Sequence, residues 1–435
     1  MSISPFEERY KTDMNAVMDD WARIQKWMVV EVALAKAHAA LGAIPKDAPA
    51  KIEAAARMVK KERVDEIESQ IHHDLMAMVN ALTEEAGDAG KYVHLGATSY
   101  DIEDTATALI FVEAINLLDK DLESLASVLK KLALDHKSLV CIGRTHGQHA
   151  VPTTYGMKFA LYYQELARAR ERLKEAKKRI AVGKMSGAVG TMATFGKDGP
   201  KIQKIVMKEL GLEPAKVTNQ VVQRDRHAEV LLDLALCAAM MEQVAKELRN
   251  LQRTEIAEVY ESFGAKQVGS STMPHKRNPH KSERVCSIAR IVRANVMTAI
   301  ENIPLEHERD LTNSANERAI FAESFIATDF MALELTKILT SLRFYEDNIK
   351  RNLEMTNGLI MAERLMIKLT EKGMGRQEAH EVVRTLSQEA FECKRHLKAI
   401  VLERKLLDKA EADVLFDYST YIGSAVKIVE ESVKE

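Results

Sequence analysis

The sequence predicts an all-α protein, a bundle of long helices, on three observations. Glycine and proline are scarce, 19 and 9 of 435 residues, against ordinary usage of about 7% and 5%. They are also clustered: neither occurs between Gly96 and Gly143, between Pro214 and Gly264, or between Pro304 and Gly358. Each of those intervals is too long for a strand and carries apolar residues at helical spacing, and no strand pairs or βαβ alternation stand out.

In the first interval Ile115, Leu118, Leu122, Leu125, Leu129 and Leu132 recur at steps of three and four, with Lys120, Asp121, Glu123 and Lys130 on the other face. That is the apolar stripe of a long packed helix. Val230, Leu234, Cys237, Met241, Val244 and Leu248 repeat the rhythm in the second interval. The third holds FIATDFMALELTKILTSL at 325–342, apolar on several faces. Such a helix is buried on all sides, and the region 320–342 has too many apolar faces for the surface of a monomer. Helices of this chain or of other subunits must surround it. Three domains follow along the chain: an N-terminal helical domain over 1–98, a central long-helix bundle over 99–340, and a C-terminal helical domain over 341–435, with KGMGR at 372–376 inside the last.

Composition narrows the function classes. The net charge is −2, which argues against a general nucleic-acid binder. The basic run ARARERLKEAKKRI at 167–180 reads as a solvated helix face. Cys141, Cys237, Cys286 and Cys393 are far apart and form no CxxC pair, so they read as reduced thiols. MSISPFEERYK at the start has no apolar signal region. No apolar run approaches the roughly 18 residues that span a bilayer. A soluble, cytoplasmic protein with no membrane or nucleic-acid partner is expected.

Four polar segments interrupt the helical pattern: QIHHDL at 70–75, HLGATSYD at 94–101, GRTHGQHAVPT at 143–153 and GSSTMPHKRNP at 269–279. Each sits near a predicted helix end, where free backbone amides bind anions. Singly they are weak signals. His72, His73 and Asp74 also fit an exposed helix turn, and Thr98 and Ser99 also fit N-caps. His146 and His149 have metal-compatible spacing, but no Cys or carboxylate lies close in sequence. SGAVGT at 186–191 has paired glycines without a preceding strand, which argues against a dinucleotide fingerprint. In GSSTMPHKRNP, Pro274 and Pro279 exclude a regular helix. Together the segments supply histidines, hydroxyls, Lys276 and Arg277, as one site for a small polyanion would need. Histidine is the usual acid or base near neutral pH.

GSSTMPHKRNP resembles the signature loop of the fumarase/aspartase superfamily. ERY at 8–10, HHD at 72–74, HLGATSYD, GRTHGQHAVPTT, NQVVQRDRHAE at 219–229, KRNPHKSE at 276–283 and HERDLTNSANER at 307–318 resemble the adenylosuccinate lyase family within it, in order and over nearly the whole chain. Two positions depart from the pattern: arginine is common where His72 stands, and histidine where Asn313 stands.

The resemblance implies cleavage of adenylosuccinate to AMP and fumarate, and of the succinylated aminoimidazole carboxamide ribotide of purine synthesis. Such substrates carry a phosphate and two carboxylates. It assigns Ser270 as the base and His146 as the acid, with Glu283 orienting His146. Lys276 and Asn278 hold the carboxylates. Arg9, Tyr10, His72, His73, Asp74, Thr98, Ser99, Gln220, Ser271, Arg309, Ser314 and Arg318 bind substrate. No metal or organic cofactor is implied. A homotetramer with a central helical bundle and shared active sites is implied, and a glycine start with two prolines suits a mobile lid. The alternatives are another superfamily lyase, chiefly argininosuccinate lyase, or a non-catalytic structural relative. Intact Ser270, Lys276, Asn278 and His146 argue against the relative.

Overall fold

The computed structural model describes residues 4–264 and 271–434. Short helices come first: α1 (Met14–Met18), α2 (Asp20–Ala40), α3 (Ala48–Ala56), α4 (Lys61–Ile71) and α5 (Asp74–Ala86). Long ones follow: α6 (Ser99–Asp135), α7 (Tyr155–Ile180), α9 (Asp225–Leu251), α10 (His280–Glu301) and α11 (Ser314–Thr340), with the shorter α8 (Gly199–Leu210) among them. The chain ends in α12 (Glu346–Glu354), α13 (Ala362–Glu371), α14 (Arg376–Glu392), α15 (Leu397–Glu403), α16 (Lys409–Leu415) and α17 (Ala425–Ser432). The all-α class is as expected. No described helix is long and apolar enough to cross a membrane.

By contact the chain divides into two compact units: 1–122 with 169–239 and 287–333, and 123–168 with 240–286 and 334–435. Each of the five long helices contributes one length to each unit. The three-part division at 98 and 340 follows chain order and stays our proposal for domain organisation.

In the first unit, α2, α3, α5 and α8 enclose a core that includes Trp27, Leu34, Ile52, Leu75, Met78, Leu82 and Met207. Asp19 starts α2 by accepting the Trp21 and Ala22 amides at 2.9 and 3.3 Å, donors that the first turn otherwise leaves unpaired. Buried charges fix the deeper helices. The Arg224 guanidinium meets Asp104 of α6 at 2.9 Å and Glu317 of α11 at 2.9 Å, with all three side chains nearly inaccessible. Lys184 pairs with Asp101, which also accepts the Ser186 and Gly187 amides. Buried charges persist only when paired in this way.

In the second unit, the C-terminal helices close over Leu365, Leu369, Leu386, Leu397, Ile400 and Leu415. A capping box starts α16: Asp408 accepts the Glu411 amide and Glu411 accepts the Asp408 amide. A hairpin lies in this unit too. β1 (Val140–Thr145) pairs antiparallel with β2 (Gln148–Thr154), from Val140 opposite Thr154 to Thr145 opposite Gln148.

That hairpin corrects the expectation of no strand pairs. The segment holds too few alternating apolar residues to read as strands, and it contains Pro152, which a central strand would exclude. A two-stranded ribbon has only edges, however, and an edge tolerates proline. The apolar stripes behave as expected: Ile115, Leu118, Leu122, Leu125 and Leu129 are buried, as are all six of the second stripe, while Leu132 is half-buried. The all-round apolar α11 has a simpler cause than intersubunit packing. From Ser324 to Leu339 only Lys337 is exposed, so this chain itself covers the helix. Exposed apolar side chains lie elsewhere, at Leu232 and Leu236 of α9 and Met297 and Ile300 of α10.

Burial ranks apolar positions by their effect on stability. Leu125→Ala, at a fully buried position, is expected to cost about 2–5 kcal/mol. Val217→Ala, at a position 79% exposed, should stay within about 0.5 kcal/mol. Denaturant unfolding of both variants checks the contrast.

Candidate active site

The residues singled out in the sequence fall into two groups, one in each unit. In the first unit, Arg9 and Tyr10 lie on the turns before α1. The Tyr10 ring packs 5.0 Å from Phe330 and 5.8 Å from Phe6, and Asn15 pins the Phe6 carbonyl at 2.9 Å. These contacts hold a short segment that has no helix of its own, with Arg9 exposed.

HHD forms the junction between two helices. His72 closes α4 in the left-handed conformation, φ 54°. His73 caps α5, its Nδ1 accepting the Met76 amide at 3.4 Å. Asp74 opens α5 and takes an ion pair with Arg318 at 2.5 Å. Burial pushes the Asp74 carboxyl up, but the Arg318 hydrogen bond and charge outweigh it and hold the group below its usual range. Thr98 and Ser99 do start a helix, α6, where the Thr98 amide donates to Asp101 at 2.9 Å.

The third cluster comes from three distant segments. Gln220 accepts from Arg309 Nη1 at 3.0 Å and donates to the Ala188 carbonyl at 3.2 Å. The Arg309 guanidinium stacks 3.5 Å above the Tyr100 ring, a cation–π arrangement. Its Nε and Nη2 are buried with no hydrogen-bond partner among the described residues. Ser314 begins α11, and Arg318 follows one turn later. Both line a cavity of about 210 Å³ with Tyr100, Glu103, Arg224 and Glu317. Buried donors without partners are costly, and an acceptor from outside the chain would satisfy those of Arg309. Asn313, one of the two family departures, is also buried, with neither amide atom partnered among the described residues.

Sequence reasoning missed two acidic contributors here. Glu103 lines the cavity; burial, with Asp74 and Asp104 nearby, pushes its carboxyl up to about 7. Glu31 is fully buried and bonds His94 Nδ1 at 2.6 Å and the His94 amide at 2.9 Å. Burial pulls the His94 imidazole down, but the Glu31 bond and charge outweigh it and hold the group above its ordinary value. His94 and Tyr100 stood inside HLGATSYD, so the motif carried the signal. Glu31 sits in an apolar helix, and nothing local ties it to a histidine 63 residues away.

In the second unit, His146 is at the exposed tip of the β1–β2 hairpin. His146 and Gly147 both have positive φ, 54° and 75°. That is the pattern of a type I′ two-residue turn, whose twist matches the strands. Behind the tip, Arg144 and Tyr155 donate to Glu258, which is fully buried, and Asn352 donates to it at 2.8 Å. His149, on β2, is pulled below its ordinary pKa by burial and by Arg144.

Ser270 lies outside the described residues. Ser271 is exposed. Lys276, Asn278 and Glu283 line one cleft of about 900 Å³. Gln252 donates to the Arg277 carbonyl at 2.9 Å, and Glu261 accepts the Ser282 amide at 2.7 Å. These bonds hold the segment that runs into α10. Among the described residues no hydrogen bond links Glu283 to His146. The arrangement supplies anion donors in one unit, and a titratable imidazole with a cationic cleft in the other.

The chain is similar to known proteins over its whole length. A family model described as lyase matches residues 8–298, and one described as adenylosuccinate lyase C-terminus matches 358–432. The adenylosuccinate lyase of Pyrococcus horikoshii is 53% identical over 440 residues, covering 100% of this chain and 98% of that protein. That of Methanocaldococcus jannaschii is 50% identical over 443 residues, covering 100% and 96%. The crystal structure of a 3-carboxy-cis,cis-muconate lactonizing enzyme from Pseudomonas putida superposes with TM-score 0.90 at 32% identity, covering 98% of each chain. One fold thus serves several chemistries, and it is the full-length likeness in sequence that decides: the chain belongs to the adenylosuccinate lyase family.

Proposed function

We propose that the chain eliminates fumarate from adenylosuccinate, giving AMP, and from succinylaminoimidazole carboxamide ribotide, working in the cytoplasm. The observation that carries the reading is Arg309. It has two buried donors without partners among the described residues, braced by Gln220 and Tyr100, beside a cavity that Ser314 and Arg318 line. A phosphate or carboxylate satisfies such donors with charge-assisted bonds. Arg9, Tyr10, His72, His73, Asp74, Thr98 and Ser99 complete the substrate contacts, and Asp74 holds Arg318 in place.

The chemistry is a β-elimination. Ser270 takes a proton from the carbon beside a carboxylate, and the electron pair spreads onto that carboxylate. The C–N bond then breaks, and His146 protonates the departing nitrogen. Lys276, Asn278 and Ser271 hold the carboxylates where charge develops. A serine is a weak base by itself, so it needs a cationic surrounding, and the cleft carrying Lys276 supplies one. Glu283 orients His146 across an interface between copies.

The assembly is a homotetramer with shared sites. Support comes from the exposed apolar side chains of α9 and α10: Leu232 at 42%, Leu236 at 50%, Met297 at 61% and Ile300 at 39%. Monomers seldom leave apolar faces of long helices uncovered. Closed symmetric assemblies bury such faces against their own copies.

Turnover tests the substrate. The protein should release fumarate from adenylosuccinate and leave argininosuccinate intact; cleavage of argininosuccinate alone would sink the reading. The acid–base roles have a separate check. Ser270→Ala and His146→Gln should each lower kcat by roughly 10²–10⁴ while still binding adenylosuccinate. Near-normal turnover in either variant would reassign that role.

A further inference from the structure

In the second unit, the 900 Å³ cleft that Lys276 lines is also lined by the C-terminal end of α9 and the turn after it. Lys246 and Arg249 stand three residues apart on that helix, hence on one face, and Arg253 follows; all three line the cleft. Gln252 ties that turn to the segment that carries Lys276. It is buried, donates to the Arg277 carbonyl at 2.9 Å and accepts the Glu261 amide at 3.0 Å. Among the described residues lining the cleft, Glu283 is the single carboxylate. Among the described residues, Lys246, Arg249 and Arg253 form no ion pair, whereas other basic side chains on the long helices do: Lys158 with Glu247, Arg170 with Asp119, Arg179 with Glu229.

Gathering cations in a concave site without carboxylates to match them is unfavourable on its own. It concentrates positive potential where an anion of small-molecule size can enter. The cleft volume is within the range of about 300–1,000 Å³ typical of such sites.

We propose that Lys246, Arg249 and Arg253 form a second bank of cations that binds a dianion in the cleft that Lys276 lines. The dianion is a dicarboxylate or a phosphate monoester. The proposal rests on the functional reading only in taking Lys276 as a substrate contact. The bank then sets where one charged end of the substrate, or a released product, is held.

Calorimetry on the assembled full-length protein tests this with three probes: fumarate, AMP and inorganic phosphate. Arg249→Gln and Lys246→Gln should each weaken binding at least tenfold, with Arg249→Lys restoring part of it. Loss confined to fumarate identifies a dicarboxylate site. Loss confined to AMP and phosphate identifies a phosphate site. Arg253→Gln, on an exposed turn, gives a third variant if either of the others fails to fold by circular dichroism. Unchanged affinity for all three probes, or no binding of any by the unsubstituted protein, overturns the proposal. Failure of the unsubstituted protein to turn over adenylosuccinate would defeat the functional reading and leave this binding comparison still decisive.

Discussion

The first unit depends on one buried arginine. Arg224 joins Asp104 of α6 to Glu317 of α11, and the segment it sits on leads into α9. Removing one member of such a network strands the others in a medium that disfavours charge, at about 3–5 kcal/mol. The network also sets position. Glu317 is one residue from Arg318 and three from Ser314, and Asp104 is one from Glu103 and four from Tyr100. Every one of those residues lines the same cavity. Ser314 and Arg318, two of the proposed anion donors, are thus carried on a helix that a charge network holds in place, and preorganised donors of this kind need no rearrangement when charge develops.

The second unit solves a different problem. Its proposed acid sits on a two-residue turn at the exposed tip of the β1–β2 hairpin. Glu258 compensates from below, bound at once by Arg144 of β1, Tyr155 at the start of α7 and Asn352 of α12. Three donors on one fully buried carboxylate anchor the root of the hairpin and leave the tip exposed. That suits the proposed acid, which in our reading reaches into a neighbouring copy of the chain. The cationic cleft around Lys276 stands in the same unit, again with an open face.

Much of this was legible in the sequence. The helical stripes from Ile115 to Leu129 and from Val230 to Leu248 became buried faces because spacing of three and four leaves one face for the core. HHD, HLGATSYD and GRTHGQHAVPTT marked places where helices stop, and they are such places. What stayed hidden were pairings between distant residues. Asp101 and Lys184 are separated by 83 residues, Asp104 and Arg224 by 120, and nothing local joins either pair. His94 was in view, but its partner Glu31 was not. The hairpin was missed because its strands lack the apolar alternation that a half-buried sheet shows. Enclosure of α11 was read correctly from its composition, whereas which chain encloses it is a matter of tertiary packing.

The central claim is that each site takes its acid and its base from different copies of the chain. Subunit mixing tests it most directly. Inactive His146→Gln and Ser270→Ala proteins are dissociated together, reassembled, and shown by mass spectrometry to have mixed. With random mixing, half the sites receive an intact histidine and half of those an intact serine, so activity should return to roughly one quarter of that of the unsubstituted protein. Verified hybrids that stay inactive would mean that both residues come from a single chain, and would contradict the account.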